Sequence, residues 1–568
     1  MAKKLNYLNS KPERNLNNKK IVVAMWGCED SEFWPYQWCT ILKGFMGEVI
    51  SFDPRKRKLE YGSKRMQEEL YKIIEEKKPD FFIFLIESNE VNIDTIKKIN
   101  ELSPNTKTIV HFGDDDLRFE NRSRYYSLFV DYSLIPQIDK IDYYKKEGIK
   151  NAYPVIGANT ENFKPLKVKK KYGVSFVGHP LPSRVEYLEF LLKNGINVEL
   201  FGHGWDNYPQ FKEIYKGALP TEDFIKVVNE TKINLGFSRN HIGVPHFKGR
   251  VFDIAACNSF QLVDYFPEYK KYYKENKELV MFHSKEELLK KIKYYLKNEK
   301  QRENIAINAY KRTLKDNDFV KLFKKFFGNI VEEEKIFKRA PLPNINKKYI
   351  TLKKEFFEEE KGDDFFKDYN YISFSTDSVS FSEYKNYLQA YSLEKSKKEI
   401  SCCGYYVYSK KLGNYMTFNN LKSMKNLKKE EFEGLFNINQ LMVRKDFFLK
   451  NKSIFKDIFL NEGKIDFITE DNTAFITIPL LHIERLSKLN YITLNKMNGE
   501  TLDKALQLNF IFEIYTKVYQ KKLIFDSYIY KIMLHAIPMR NHFILKSLVN
   551  YMFKEEIRNK LKSLLKKT

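Results

Sequence analysis

Side chains able to hold a diphosphate and a ribose occur together in residues 246–264, HFKGRVFDIAACNSFQLVD. Lys248 and Arg250 precede Asp253 within residues 247–256, which the apolar spacing predicts to be a short helix, and a buried strand follows. Lysine and arginine neutralise phosphate charge, and arginine adds a forked pair of donors. A carboxylate beside them suits ribose hydroxyls. A basic helix on a lysine-rich surface would look the same, so this segment alone leaves both interpretations open.

A second group of residues that could take part in chemistry lies at the end of a predicted strand, residues 108–112. It comprises His111 and the consecutive carboxylates Asp114, Asp115 and Asp116. In the functional interpretation, one of these groups orients or deprotonates an acceptor hydroxyl. The alternative is a helix N-cap cluster without chemistry, because aspartate favours that position. A metal site is the less favoured interpretation, since consecutive residues rarely converge their oxygens on one ion.

The elements that must position these groups alternate between strand and helix. In the first segment, up to residue 155, buried strands are predicted at 21–26, 48–52, 80–86, 108–112 and 131–135. The pattern then restarts, with strands at 173–178, 198–202, 232–237 and 260–263. Alternation with short loops predicts two doubly wound α/β domains, 21–155 and 156–330. Ligands bind such sheets at the carboxyl ends of the strands, so a cleft between the two domains is expected to hold the site.

Composition narrows the class of protein only slightly. The 568 residues carry 98 Lys and Arg against 74 Asp and Glu, a net charge of +24, which favours anionic partners. The surplus is lysine spread along the whole chain, so it does not identify a partner. Five cysteines without paired metal spacing indicate a reduced, cytoplasmic setting. Residues 1–20 form a polar arm without the apolar core of a signal peptide, and no apolar run is long enough to span a membrane.

With both domains placed, the chain resembles the CgeB-type branch of the GT-B glycosyltransferases. The resemblance runs across most of residues 1–330. It is carried by the motifs HFGDDDLRF (111–119), SFVGHPLPSR (175–184), LFGHGWDN (200–207), KINLGFS (232–238), FKGRVFDIAAC (247–257), LVDYFPE (262–268), SKEELLKKIKYYL (284–296) and NIAINAYKRTL (304–314). It implies a hexosyltransferase-like enzyme of class EC 2.4 with two Rossmann-like domains. The second domain would hold the nucleotide-sugar donor, and this site would need no metal or other cofactor.

The resemblance implies donor-binding roles for individual residues. Gly178 and His179 stand where the family carries Gly-Arg, and Arg184 stands near the position of a lysine that contacts the diphosphate. Asp253 falls where the second Glu of an E-x7-E pattern binds the ribose. The first Glu of that pattern would fall near Pro245, and no carboxylate stands there, which puts its contact with the donor sugar in doubt.

Lys248 and Arg250 are expected to supply compensating charge to the leaving diphosphate, where negative charge develops during transfer.

A change in composition at residues 331–347, with acidic residues and then two prolines, predicts a linker. Beyond it, residues 348–498 are partly similar to the acceptor half of a GT-A glycosyltransferase. Asp377 follows a predicted strand, and the pair Glu470 and Asp471 precedes a helix-like stretch. The preferred interpretation is a decayed or truncated GT-A-like domain, kept for acceptor binding or dimerisation. The similarity implies a second site, with a divalent metal only if the unit is active. An unrelated α+β module is the alternative.

Residues 499–568 are predicted to be helical and end in a basic stretch. They could lie on an anionic membrane surface, as for a protein peripheral to the inner face of the membrane. Core packing or a homo-oligomer interface is the favoured interpretation of their aromatic stripes.

Three functions remain open from the sequence. The first is transfer of a sugar to an envelope polysaccharide, lipid or protein acceptor, and it is preferred. The second is a glycosyltransferase acting on modified bases of DNA, which would explain the net charge of +24. It is less favoured because the chain lacks the arginine-rich, aromatic-interleaved stripe of nucleic-acid grooves. The third is a non-catalytic nucleotide-sugar-binding module.

Overall fold

Three β-sheets organise the chain. The computed structural model describes residues 14–30, 34–85, 90–113, 115–240, 243, 245–331, 345, 347–359, 361–376, 379–409, 414–418, 438–461, 467–468 and 471–483. The linker 331–347 is described only in part, and the predicted helical region 499–568 lies outside the described residues.

The first sheet has six parallel strands in the order β2-β1-β3-β4-β5-β6. The strands are β1 Lys20–Ala24, β2 Glu48–Phe52, β3 Phe81–Leu85, β4 Lys107–His111, β5 Tyr132–Ile135 and β6 Ala152–Pro154. Its helices are α1 Trp34–Lys43, α2 Pro54–Tyr61, α3 Ser63–Lys77, α4 Ile93–Leu102, α5 Asp115–Arg118, α6 Arg124–Tyr126 and α7 Ile141–Lys146. Continuous apolar runs such as FFIFL in β3 are buried on both faces, which is why they occur in a parallel sheet covered by helices.

The second sheet has five parallel strands in the order β11-β10-β9-β7-β8. The strands are β7 Tyr172–Val177, β8 Glu199–Phe201, β9 Thr231–Gly236, β10 Gln261–Asp264 and β11 Val280–Phe282. Its helices are α8 Pro182–Lys193, α9 Thr221–Glu230, α10 Arg250–Ala256, α11 Lys285–Lys297 and α12 Glu299–Asp316. The prediction of two Rossmann-like α/β units is confirmed, although the short edge strands β6 and β11 and helix α2 were not predicted.

A further helix returns from the second unit to the first. This helix, α13 Phe319–Ile330, buries Phe323, Phe326 and Phe327 in the core of the first sheet, on the face that α1 also covers. The Lys107 ammonium donates to the carbonyl oxygens of Ile330 (2.6 Å) and Val331 (2.9 Å) at the helix end. The chain therefore crosses between the two units twice.

The third sheet, which follows the linker, is mixed. Its strands are β12 Tyr349–Leu352, β13 Tyr371–Phe374, β14 Val379–Phe381, β15 Ile400–Ser409, β16 Asn414–Phe418, β17 Leu441–Arg444 and β18 Thr473–Ile483. Its helices are α14 Lys354–Glu358, α15 Lys385–Ser396, α16 Lys445–Lys450 and α17 Lys452–Asn461. The order is β12-β13-β17-β15-β18-β14, with β16 beside β15, and β17 runs antiparallel between β13 and β15. The described part of this unit is thus α+β.

The third unit shares a hydrophobic core with the first. Tyr384, which precedes α15, and Leu388 and Tyr391 within it lie in the same apolar cluster as the α3 and α4 side of the first sheet. Ser382 donates to an Asp94 carboxylate oxygen at 2.9 Å across this contact. None of the helices in the described part of the chain has the length and apolar character of a membrane span.

Candidate functional site

A cavity of about 580 Å³ opens where the strand order of the second sheet reverses. β7 and β9 lie side by side, and the chain leaves them toward opposite edges of the sheet, which leaves a crevice at their carboxyl ends. All six predicted donor-binding residues line this cavity: Gly178, His179, Arg184, Lys248, Arg250 and Asp253. We call it the donor cavity, after the role that the sequence predicts for these residues.

Glycines allow the loop after β7 to approach its neighbour closely. Gly202 has φ +124°, and a Cβ there would stand 2.3 Å from the Gly178 carbonyl oxygen. The Trp205 indole donates to that same oxygen at 2.6 Å. The glycines of FGHGWD therefore shape a loop beside the donor cavity.

Arg184 lies in the first turn of α8 and is 9% exposed. Its Nη1 donates to the His179 carbonyl oxygen at 2.9 Å, and its guanidinium lies 5.5 Å from the Phe176 ring centroid. Its Nε is buried and has no hydrogen-bond partner among the described residues. Burial, and then the charge of Arg250, lower the pKa of Arg184 to about 10. The side chain is a buried cation with unused donor capacity.

Arg250 begins α10 on the opposite wall of the donor cavity. Its Nη1 donates to the Val177 carbonyl oxygen, and its guanidinium lies 4.8 Å from the Phe224 ring centroid. Arg250 is exposed at the cavity wall, but desolvation by the surrounding protein lowers its pKa, and Asp253 partly opposes this. Across the described residues, no carboxylate forms a salt bridge with either Arg184 or Arg250. Two neighbouring cations without a paired anion make a site for an anionic ligand.

Asp253 lies one turn after Arg250 on α10 and lines the same cavity. Burial raises the pKa of the Asp253 carboxyl to about 7, and the charge of Arg250 only partly offsets the effect. Hydrogen bonds donated by ribose hydroxyls would stabilise the charged form of this carboxyl. The carboxyl is therefore poised between its two protonation states near neutral pH.

The predicted helix over residues 247–256 begins later than expected, at Arg250. The backbone N–H of His246 donates to the Ser238 carbonyl at 2.8 Å, and that of Phe247 donates to Gln137 Oε1 at 3.1 Å. These bonds hold the segment in a non-helical path. Lys248 consequently precedes the helix, although it still lines the donor cavity.

His179 lies at the rim of the donor cavity. Its Nδ1 is 3.2 Å from the His203 carbonyl oxygen, and the two imidazole rings stack at 6.2 Å. Burial lowers the pKa of His179. It therefore contributes a neutral ring near pH 7.

A second cavity of about 460 Å³ lies between the two α/β units. Its walls come from both units and from α13, and they include four aromatic side chains, Trp38, Phe163, Phe224 and Phe319. It meets the donor cavity at Arg250 and Asp253, which line both. We call it the aromatic cavity. The two cavities are adjacent, and together we call them the cleft.

His111, a predicted catalytic residue, lies at the end of β4 and lines the aromatic cavity. Its ring packs against the edge of Trp38, with centroids 4.7 Å apart. Burial lowers the pKa of His111 to about 3. The imidazole is neutral at physiological pH, so it can orient a hydroxyl but is a weak proton acceptor.

Asp115, a second predicted catalytic residue, does not reach the cleft. It begins α5, is buried in the first unit, and accepts a hydrogen bond from the Tyr144 hydroxyl at 2.6 Å. The hydrogen bond from Tyr144 holds the carboxylate inside the first unit, which consecutive aspartates in a sequence do not reveal. Asp114 and the side chain of Asp116 lie outside the described residues.

The predicted second site is not assembled by the described residues. Asp377 and Glu470 lie outside the described residues, and Asp471 is an exposed turn residue before β18. β13 and β18 run in the same direction, because β17 is antiparallel to both β13 and β15, and β15 is parallel to β18. Asp471 therefore lies at the opposite sheet edge from the end of β13. Within the described ranges, no cluster of His, Cys, Asp and Glu suits a metal ion.

Several residues of the cleft were not anticipated from the sequence. Gln37 and Trp38 come from α1, Asn159 from the crossover between the units, and Phe319 from α13. None belongs to a motif. The sequence could have indicated them only through their location in helices and a connection next to the expected cleft.

Comparison with known proteins finds similarities to glycosyl transferase-like proteins. Residues 184–327 match the model of a family described as glycosyl transferase-like. Spore protein CgeB of Bacillus subtilis (strain 168) is 25% identical over 192 residues, covering 30% of this chain and 59% of CgeB. The match thus spans less than two thirds of CgeB.

Solved structures with a similar arrangement include HepE of Anabaena in complex with UDP and glucose. It is 11% identical, with 54% of this chain and 98% of that chain covered and a TM-score of 0.40. Sucrose-phosphate synthase from Thermosynechococcus elongatus is 9% identical, with 55% and 98% covered and a TM-score of 0.42. Both TM-scores are below 0.5, so these similarities assign no role to any residue here.

The matched segment begins at Arg184 and contains Lys248, Arg250 and Asp253. It therefore covers most of the donor cavity, and it extends into α13. Residues 184–327, which belong to the second Rossmann-like α/β unit and α13, are thus similar to the glycosyl transferase-like family, and part of the chain is similar to CgeB.

Proposed function

We propose that this protein is a glycosyltransferase that moves a sugar from a nucleoside-diphosphate sugar to an acceptor hydroxyl. The observation that carries the proposal is the pair Arg184 and Arg250. Both guanidiniums line one cavity at the switch point of a parallel sheet, and neither has a described carboxylate partner. A diphosphate supplies the missing negative charge, and guanidinium groups bind it through charge-assisted hydrogen bonds.

In this proposal, different residues of the donor cavity bind different parts of the donor. Arg184, Arg250 and Lys248 hold the diphosphate, and Asp253 accepts hydrogen bonds from the ribose. The loop at Gly178 lets the donor approach the backbone, with His179 beside it. These cations also neutralise the negative charge that develops on the leaving diphosphate, so this step needs no metal.

The reaction joins the acceptor oxygen to the anomeric carbon of the donor sugar. The bond between that carbon and the diphosphate oxygen breaks, and its electron pair leaves with the nucleoside diphosphate. The hydroxyl proton is released to the leaving phosphate or to water. His111, neutral and at the aromatic cavity, orients the acceptor hydroxyl. Acceptors of the proposed activity are hydroxyls of an envelope polysaccharide, lipid or protein.

Nucleotide binding tests the placement of the diphosphate. Titration of the full chain with UDP, GDP and ADP should give at least one saturable complex. Arg250→Ala and Lys248→Ala should each weaken it about tenfold or more, since a hydrogen bond to a charged group contributes about 1.5–3 kcal/mol. Arg312→Ala is the matched control, because this arginine pairs with Glu278 and Asp316 away from the cleft.

Undiminished nucleotide binding by Arg250→Ala and Lys248→Ala would show that the diphosphate lies elsewhere. Turnover decides between an enzyme and a binding module. The full chain is incubated with the sugar derivatives of the nucleotide that binds, and release of nucleoside diphosphate is measured. Binding without release from any of them would favour the non-catalytic module.

A further inference from the structure

The aromatic cavity differs in chemistry from the donor cavity that it joins. Its aromatic walls converge from four separate segments: Trp38 on α1, Phe163 after β6, Phe224 on α9 and Phe319 on α13. Trp38 and Phe319 are in edge contact, with centroids 5.5 Å apart. A volume of about 460 Å³ is within the range of small-molecule sites. The cavity can therefore take a ligand with a flat apolar face.

Charge is confined to the side of the aromatic cavity that joins the donor cavity. Among its described lining residues, Arg250 is the one cation and Asp253 the one carboxylate, and both also line the donor cavity. His111 is neutral. An anionic group placed deep in this cavity would lose its hydration without gaining a partner, which is costly.

Neutral polar groups complete the wall. Gln37 is half-buried, and no described residue hydrogen-bonds its side-chain amide. Asn159 is buried, and its Oδ1 accepts from the Glu161 backbone N–H at 3.2 Å, which leaves its amide donors for a ligand. Amide groups both donate to and accept from hydroxyls.

We propose that the aromatic cavity binds a neutral carbohydrate ring and that this ring carries the acceptor hydroxyl. This inference rests on the proposed glycosyl transfer, and it names the acceptor class. The apolar C–H face of a pyranose packs on the rings of Trp38 and Phe319, while Gln37 and Asn159 bind its hydroxyls. The chemistry selects against acceptors that present phosphate, including modified bases within a DNA strand.

Ligand binding to the full chain tests the acceptor class. The probes for saturation-transfer NMR are the methyl glycosides of glucose, galactose and N-acetylglucosamine, each with UDP, GDP or ADP present. Glucose 6-phosphate and methyl glucuronide are the charged counterparts, and an oligodeoxynucleotide with 5-hydroxymethylcytosine represents DNA. Octyl glucoside and a neutral oligosaccharide, compared with the methyl glycosides, separate a glycolipid from a polysaccharide source.

At least one neutral glycoside is expected to bind, with its ring protons receiving the transfer, and the charged probes are expected to bind about tenfold more weakly or not at all. Phe319→Leu and Gln37→Ala should each weaken glycoside binding about tenfold. Neither should change nucleotide binding, because Phe319 and Gln37 do not line the donor cavity. Phe365→Leu, an exposed phenylalanine of the third unit, is the matched control.

The two proposals fail in different ways. Three results would overturn the acceptor inference alone, each with nucleotide binding unchanged. No neutral glycoside binds, or the charged probes bind as tightly as the neutral glycosides, or the oligodeoxynucleotide binds more tightly than they do. Unchanged glycoside binding in both Phe319→Leu and Gln37→Ala would also overturn it. Absence of binding by UDP, GDP and ADP would instead overturn the proposed function.

Discussion

Burial raises the pKa of Asp253, in the donor cavity, to about 7. Its ordinary value is 3.8, so the folded state holds the proton more tightly than the unfolded chain does. A carboxyl with a raised pKa stabilises the folded state fully below pH 4. That contribution is lost as the pH rises toward and through 7.

Asp253→Asn removes this titration while keeping the shape of the side chain. Wild type and variant should have similar unfolding temperatures at pH 4, and the variant should become the more stable of the two by roughly 2–4 °C or more at pH 9. Thermal unfolding at pH 4, 6, 7 and 9, without nucleotide, measures the difference. Parallel curves for the two proteins would show that Asp253 titrates near its ordinary pKa.

At the scale of elements, α13 links the donor side of the cleft to the core of the first unit. Phe319 at its start lines the aromatic cavity, and Phe327 is buried with its ring 5.0 Å from that of Phe81 in β3. One helix thus fixes a cleft wall to the centre of a sheet.

Phe327→Ala should cost about 3–5 kcal/mol of unfolding free energy for the first unit, because it removes a fully buried ring. Urea denaturation followed by far-UV circular dichroism measures the loss. Ile307→Ala, on the exposed side of α12, should stay within about 0.5 kcal/mol of wild type. Equal effects of the two substitutions would show that α13 is not part of the core.

For the whole molecule, the third unit is joined to the first by polar groups as well as by apolar packing. Glu147 accepts from the Tyr391 hydroxyl at 2.6 Å and pairs with Lys395 at 3.1 Å and with Arg124 at 3.3 Å. The Glu147 side chain is 10% exposed. By contrast, Lys97 and Glu383 pair across the same contact at 2.7 Å in a more exposed position.

Glu147→Ala should therefore destabilise the protein by about 3–5 kcal/mol, since it leaves the buried Arg124 with less compensation. Glu383→Ala at the same interface should cost about 0–1 kcal/mol, as exposed pairs do. Urea denaturation of both variants compares the two. A cost for Glu147→Ala no larger than that for Glu383→Ala would mean that the contact between the units does not depend on this network.

The residues of the donor cavity are the predicted site residues that the structure brings together. They follow the carboxyl ends of strands with strong apolar runs, and parallel strands present those ends at one sheet edge. The start of α10 was predicted less well, because the hydrogen bond from the Phe247 backbone to Gln137 crosses between two units. Asp115 was misplaced because the direction of its side chain depends on Tyr144, far along the chain.

The sequence by itself determined the alternation of strands and helices, the two α/β units and the cations and carboxylate of the donor cavity. These follow from local periodicity and from the chemical type of the side chains. Only the tertiary structure decided that Trp38 and Phe319 share one cavity wall, that α13 returns to the first unit, and that the third unit shares the core of the first. Such contacts join residues distant in the chain through packing, and apolar side chains carry no local mark of the partner against which they pack.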